Sequence, residues 1–264
     1  MTGSTGADVA AKATELLRLH RDPQLLRVVN VWDVISAKVV GDIEGTTALA
    51  TASHSIAASR GYEDGENIPV DEMLGEVARI VAATDLPVTA DLEGGYGNAA
   101  ETVRRAIGAG VAGANIEDQL KPLAEAAAQV EAIMKAAEAE GVPDFVLNAR
   151  TDAFLKVGER GAEATLEDAV QRGKAFLDAG APVVFVPGVL SEEQITTLVE
   201  AFGPRRLTVI GLPGLPPQAR LTELGVARIS YGPLTQRVAL TALAELTESV
   251  REGGGIPEGT RPLN

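Results

Sequence analysis

Three carboxylates and one arginine lie at the ends of three consecutive strand-like segments. Asp91 and Glu93 occur in PVTADLEGGYG, Glu117 in GANIEDQ and Arg150 in LNARTDAF. Side chains alternate along a strand, so Asp91 and Glu93 point to the same side. Clustered carboxylates repel one another unless a cation lies among them. The chain has no cysteine and only two histidines, so the pattern predicts an oxygen-preferring ion, Mg²⁺ or alternatively Mn²⁺.

The elements that must position these groups alternate regularly along the chain. Strands are predicted at Leu26–Trp32, Thr46–Ala52, Pro87–Asp91, Gly113–Glu117, Phe145–Arg150, Pro182–Pro187, Leu207–Ile210 and Val226–Ser230. Helices are predicted near 33–43, 71–83, 98–109, 123–140, 165–179, 191–202 and 216–223, with further helices at 7–20 and 234–251. Repeated β–α units indicate a parallel sheet. We expect one domain, residues 1–264, folded as a single (β/α)8 TIM-type barrel over about 22–250 with an extra N-terminal and an extra C-terminal helix.

In such a barrel the C-terminal ends of the strands face the active site, so the acids and Arg150 should share one rim. A planar guanidinium there could bind a substrate carboxylate or phosphonate. The alternative is that each charged residue caps a helix or pairs on a loop; Asp33 is best explained as such a cap. Charges on three adjacent strands, with glycines at 94, 95 and 97, favour a site, although the glycines alone could form a tight turn.

The bulk composition excludes several classes of function. A net charge of −14 disfavours nucleic-acid partners because an acidic surface repels phosphates. The lack of cysteine excludes disulfides, Cys-ligated zinc and thiol catalysis. No apolar run reaches the ~20 residues of a membrane helix, and the first residues lack the features of a signal peptide. We therefore expect a cytoplasmic protein without a membrane partner.

Seven segments, in order, resemble the isocitrate lyase/phosphoenolpyruvate mutase superfamily over about residues 22–240. They are VVNVWDVISAKVV, ATASHSIAASRGYEDGE, PVTADLEGGYG, GANIEDQ, LNARTDAF, VVFVPGV and LGVARISYGP. The resemblance is closest to short phosphoenolpyruvate phosphonomutase-like members. It implies chemistry that makes or breaks a C–C or P–C bond next to a pyruvyl enolate, on a small 2-oxo or 2-hydroxy acid or a phosphonate. It also implies a homo-oligomer, a tetramer or a dimer.

The resemblance assigns roles to individual residues. Asp91 matches a direct metal ligand, and Asp64, Glu93 and Glu117 match acids that hold the metal largely through its waters. Substrate-binding candidates are Trp32, Ser53, His54, Asp91 and Arg150, and the catalytic candidates are Arg150 and His54. His54 stands where relatives often have a small residue. A histidine there could exchange protons at neutral pH, or it could be a structural residue.

This sequence departs from the family in the segment after IEDQ. Lyases of the family carry a loop with a catalytic cysteine there, whereas here the chain runs through LKPLAEAAAQ into a predicted helix, and about ten residues of loop are missing. A closing loop excludes water, so its loss favours cleavage by a lyase or hydrolase over mutase chemistry. Three alternatives stay open: a phosphoenolpyruvate/phosphonopyruvate-type mutase, a non-catalytic dicarboxylate-binding relative, and a metal-dependent aldolase acting on pyruvate adducts.

Overall fold

A computed structural model describes residues 6–155 and 161–264, in which parallel strands are surrounded by helices. The strands are β1 Leu26–Arg27, β2 Asn30–Val31, β3 Leu49–Thr51, β4 Val88–Asp91, β5 Gly113–Glu117, β6 Val146–Arg150, β7 Val183–Phe185, β8 Leu207–Ile210 and β9 Arg228–Ser230. The helices are α1 Gly6–Arg21, α2 Val34–Gly41, α3 Ser53–Ser59, α4 Val70–Ala82, α5 Ala99–Gly108, α6 Leu123–Ala139, α7 Gly161–Asp178, α8 Glu192–Phe202, α9 Gln218–Leu224 and α10 Leu234–Arg251.

The sheet closes on itself through the segment that contains β1 and β2. β1 pairs with β9, β2 pairs with β3, and the order between them is sequential. The Val28 N–H donates to the Ile229 carbonyl at 3.0 Å, and the Val29 carbonyl accepts from Ala50 N–H at 3.5 Å. One continuous run therefore bonds to both neighbours, which confirms the predicted barrel. The predicted strand Leu26–Trp32 is observed as two short strands, because its first part pairs with β9 and its second part pairs with β3.

The structure shortens one predicted strand and adds one helix that was not predicted. The predicted strand Thr46–Ala52 begins only at Leu49, because Thr46 closes the turn after α2: its N–H donates to the Ile43 carbonyl and its hydroxyl to the Val40 carbonyl. Helix α3 was not predicted. Its seven residues are too few to show a helical hydrophobic period. No helix within the described ranges is long and apolar enough to cross a membrane.

Helix α1 covers the amino-terminal end of the barrel and buries His20. Leu16 packs so closely on β5 that a Cβ at Gly113 would approach its Cδ2 to 2.9 Å. His20 is fully buried, and its Nδ1 lies 2.8 Å from the Leu16 carbonyl. Burial, reinforced by the positive charge of Arg228, lowers the pKa of His20 to about 3. The imidazole is therefore a neutral part of the core.

We expect His20 to make the fold sensitive to acid. An unfolded histidine titrates near pH 6.5, so below that pH the unfolded chain binds a proton that the folded chain refuses. The free energy of unfolding should fall as the pH drops from about 6.5 towards 3, by about 2 kcal/mol at pH 5. Urea unfolding of wild type and His20→Asn at pH 5 and pH 7.5 measures this. Asparagine keeps a donor for the Leu16 carbonyl, and an equal pH effect in both proteins would contradict the assignment.

Candidate active site

The carboxyl ends of neighbouring strands surround one pocket of about 230 Å³. It is lined by Ser53, Asp64, Gly65, Glu93, Glu117, Arg150, Asp152 and Leu155. These residues end β5 and β6 or lie in the connections after β3, β4 and β6, and the strand ends meet at one rim because the strands are parallel. A larger cavity, about 490 Å³, lies at the opposite end beside Pro143, Pro182 and Pro204. We take the smaller pocket as the site because the acids and Arg150 converge there.

Asp91 is held by the residues that follow β3. Its Oδ2 accepts hydrogen bonds from the Ser53 N–H at 3.1 Å and the Ser53 hydroxyl at 2.8 Å. The Asp91 N–H donates to the Thr51 hydroxyl at 2.9 Å. Ser53 begins helix α3, whose first N–H groups favour a negative charge. Ser53, a predicted substrate-binding residue, thus orients the carboxylate of Asp91 in this structure.

Glu93 joins two loops over the pocket. It has a positive φ of 53°, an unfavourable conformation for a non-glycine residue. Its Oε1 accepts from the Tyr96 hydroxyl at 2.9 Å, and its Oε2 accepts from the Glu66 N–H. The Tyr96 N–H in turn donates to Glu66 at 2.6 Å. Burial raises the pKa of Glu93. These bonds fasten the GYEDGE segment, and with it Asp64, to the loop after β4.

Arg150 lies between two carboxylates. Its Nη1 is 2.8 Å from Glu117 Oε2, and its Nε is 2.8 Å from Asp152 Oδ1. Burial raises the pKa of Glu117 to about 7 against the opposing effect of Arg150. Burial also acts to lower the pKa of Arg150, but the neighbouring acids outweigh it and the net pKa is raised. Asp152 was not among the predicted site residues; its place two residues after Arg150, which keeps it on the same rim, was the available signal.

Of the predicted site residues, Trp32, His54 and Asp91 do not line this pocket, although Asp91 accepts a hydrogen bond from Ser53, which does. His54 Nδ1 lies 3.3 Å from Asp64 Oδ2, and both side chains are substantially exposed. Trp32 lines a separate groove of about 440 Å³ with Ile35 and Val238. Next to it, Asp33 is the N-cap of α2: its carboxylate accepts from the Ser36 N–H at 2.7 Å. That cap was predicted and is confirmed.

The connection after β5 is short, as the sequence predicts. Residues 118–122 alone separate β5 from α6. Asp118 accepts from the Asp152 N–H at 3.0 Å and pairs with Arg172 at 3.1 Å, which anchors the turn. Gln119 lies against Gly94, where a Cβ would come within 2.3 Å of its side chain. This turn packs on the loop after β4 and adds no segment that could extend over the pocket.

The donor set fits a hydrated divalent ion. Among the residues described, no group of three or more His, Cys, Asp or Glu side chains is arranged to hold a metal directly. Yet Asp91, Glu93 and Asp152 are close enough to Glu117 for their charges to raise its pKa. Mg²⁺ commonly keeps several waters and takes one or two carboxylates from the protein. The residues present therefore fit an ion held partly through water.

The chain is similar to known proteins over most of its length. The family model described as phosphoenolpyruvate phosphomutase matches residues 16–251. An oxaloacetate decarboxylase from Paraburkholderia xenovorans is 32% identical, over 86% of this chain and 78% of its own. The crystal structure of a candidate phosphonomutase from Burkholderia cenocepacia is 42% identical with a TM-score of 0.85, covering 93% of this chain and 100% of its own.

A third relative is an oxaloacetate acetylhydrolase solved with its product oxalate. It is 26% identical with a TM-score of 0.84, covering 96% of this chain and 92% of its own. The matches thus include both cleavage enzymes and mutase-like proteins, in agreement with the resemblance seen in the sequence. The chain belongs to the phosphoenolpyruvate phosphomutase family, within the PEP mutase/isocitrate lyase superfamily of lyases and mutases.

Proposed function

We propose that this protein is a Mg²⁺-dependent lyase or hydrolase that cleaves a C–C bond of a small 2-oxo or 2-hydroxy acid. The observation that carries the proposal is the placement of Arg150 beside Glu117 and Asp152 on the rim that also holds Asp91. An arginine at the edge of an acid cluster can bind an anionic substrate while the acids hold a cation. Relatives that act on oxaloacetate support this substrate class.

Different side chains would have different roles in the proposed reaction. Asp91 would hold the ion directly, and Asp64, Glu93 and Glu117 would hold it largely through its waters; Mn²⁺ could replace Mg²⁺. The bound ion would supply electrostatic stabilisation of an oxyanion. Arg150 would bind the substrate carboxylate and stabilise the same developing charge. Ser53, which lines the pocket, would orient the substrate.

His54 is the proton donor or acceptor in this proposal. Its Nδ1 lies 3.3 Å from Asp64 Oδ2, and a carboxylate partner fixes which ring nitrogen carries the proton. Because the turn after β5 is short and adds no cover over the pocket, solvent could serve as a second proton source. His54→Gln should slow turnover, by about 100-fold if the imidazole transfers the proton. An unchanged rate would return His54 to a structural role.

A substrate panel tests cleavage against the alternatives. The purified protein with Mg²⁺ is incubated with oxaloacetate, 2-methylisocitrate and phosphonopyruvate, and products are followed by NMR. We expect cleavage of a 2-oxo or 2-hydroxy acid to exceed conversion of phosphonopyruvate to phosphoenolpyruvate, because a mutase must trap its reactive intermediate away from water. Efficient phosphonopyruvate conversion alone would favour the mutase, and Mg²⁺-dependent binding without turnover would favour the dicarboxylate-binding alternative.

Helix α10 supports a homo-oligomer, either dimer or tetramer. Of its eighteen residues, Gln236 alone is buried. Val238, Leu240 and Leu243 are each more than half exposed, and Val238 also lines the apolar groove beside Trp32. Leu240 and Leu243, three residues apart, share one face of the helix, and an exposed apolar face of this kind marks protein–protein contact sites. A cytoplasmic location and the absence of nucleic-acid or membrane partners are further parts of this proposal.

Replacing Leu243 with glutamate is expected to lower the oligomeric state, because it places a charge in the apolar surface of α10. Light scattering of the wild type at micromolar concentration should give a dimer or tetramer mass, and Leu243→Glu should give a monomer mass. Thr241→Glu is the matched control: two residues along a helix correspond to about 200° of rotation, so it adds the same charge to the opposite face. A monomeric wild type would contradict the assignment.

A further inference from the structure

Arg228 directs a guanidinium into the barrel. It lies on β9 in register with Thr208 of β8. The Thr208 hydroxyl donates to Asn148 Oδ1 of β6 at 2.7 Å, a bond that passes across β7 and therefore lies inside the barrel. Residues in register on neighbouring parallel strands direct their side chains to the same face, so Arg228 points inward too. Its side chain is fully buried.

No described protein group neutralises this guanidinium by a direct bond. Its Nε, Nη1 and Nη2 all lack a hydrogen-bond partner in the described part of the chain. Arg172, another buried arginine, pairs with Asp118 and Asp168 and donates to the Lys121 carbonyl. A buried charge that supports a fold is expected to be paired in that manner, because an unpaired one is unfavourable. The environment of Arg228 therefore indicates a role outside folding.

The charge of Arg228 acts on the acid end of the barrel. Burial lowers the pKa of Arg228 to about 10, and the negative charge of Asp91 opposes that effect. The guanidinium is therefore charged at neutral pH. The charge of Arg228 also acts on His20, whose depressed pKa keeps the imidazole neutral. The carboxylate that interacts with Arg228 is thus one that the proposed function places in the metal site.

We propose that Arg228 is a positioning residue that favours a dianionic substrate through the positive charge it places beneath the acid pocket. The proposal rests on the proposed function. Among the described residues, four acids, Asp64, Glu93, Glu117 and Asp152, line the pocket with one arginine, Arg150, so further positive charge would favour a substrate with two negative charges. Arg228 supplies it without occupying space in the pocket. Coulomb energy is proportional to charge, so the contribution of Arg228 to the binding free energy of a dianion should be twice its contribution for a monoanion.

Oxalate and oxamate test this dependence, because they have nearly the same shape but carry two charges and one. Calorimetry measures the affinity for Mg²⁺ alone and then the affinity for each anion at saturating Mg²⁺. The proteins are the wild type, Arg228→Met and Arg228→Lys. Arg228→Met is expected to bind Mg²⁺ about tenfold more tightly, oxalate about tenfold more weakly and oxamate about threefold more weakly. Its thermal midpoint should be equal or higher, since an unpaired charge is removed. Arg228→Lys, which keeps the charge, should stay within about twofold of wild type.

Several results would overturn the proposal. Equal weakening of oxalate and oxamate would show a loss of shape rather than of charge, and unchanged affinities would show that the charge is neutralised locally. A chloride-dependent thermal midpoint that Arg228→Met removes would identify a resident anion as that neutralising group. Failure of Arg228→Met to fold would assign the guanidinium to the fold. Absence of Mg²⁺ binding by the wild type would instead contradict the proposed function itself.

Discussion

Asp91→Asn is expected to weaken Mg²⁺ binding by about 100-fold or more and to remove Mg²⁺-dependent turnover with it. The asparagine Oδ1 can still accept the hydrogen bonds that the Ser53 N–H and hydroxyl now donate to the carboxylate. The local geometry should therefore survive while the negative charge and the anionic ligand are lost. Calorimetric titration with Mg²⁺ measures the affinity directly, independently of any substrate.

The matched control for this variant is Asp144→Asn. Asp144 also accepts a hydrogen bond from a hydroxyl, that of Thr14 at 2.7 Å, but it borders the cavity at the amino-terminal end of the barrel. It should bind Mg²⁺ like the wild type. Equal affinity of Asp91→Asn and the wild type would remove Asp91 from the metal site and would leave the acid cluster without its proposed direct ligand.

Arg150→Met is expected to lower kcat/KM by about 100- to 1,000-fold, the loss typical of removing one group that stabilises a developing oxyanion. It should also lower the free energy of unfolding by about 3 kcal/mol at pH 8, because the largely buried carboxylate of Glu117 would lose its arginine partner. At pH 6 this penalty should be smaller. The pKa of Glu117 is already about 7 with Arg150 present, and the carboxyl would accept a proton more readily without it.

Two further variants separate these effects. Arg150→Lys keeps the charge but cannot bond both acids with a planar fork, so it should recover stability more fully than activity. Arg220→Met removes an exposed arginine that pairs with Glu192 and Glu223, and it should leave both activity and stability nearly unchanged. Turnover by Arg150→Met at the wild-type rate would show that substrate binding does not use this guanidinium.

The sequence by itself determined the barrel and the rim that holds the acids. Strand-like runs separated by helical stretches admit few parallel arrangements, and a parallel sheet brings the carboxyl ends of its strands together. Asp91, Glu117 and Arg150 could therefore be placed together from their positions alone. The shortened connection after β5 could also be predicted, because the number of residues between a predicted strand and the next predicted helix can be counted in the sequence.

The tertiary structure decided how each side chain is used, because that depends on packing across elements distant in sequence. In the structure, the Ser53 hydroxyl donates a hydrogen bond to Asp91, and Asp152 pairs with Arg150. It directed Trp32 to another groove. No periodicity in LGVARISYGP distinguishes an arginine directed into the barrel from one on its surface. Closure of the barrel buries Arg228 without a hydrogen-bond partner among the residues that the structure describes, and closure is a property of the whole sheet rather than of any one strand.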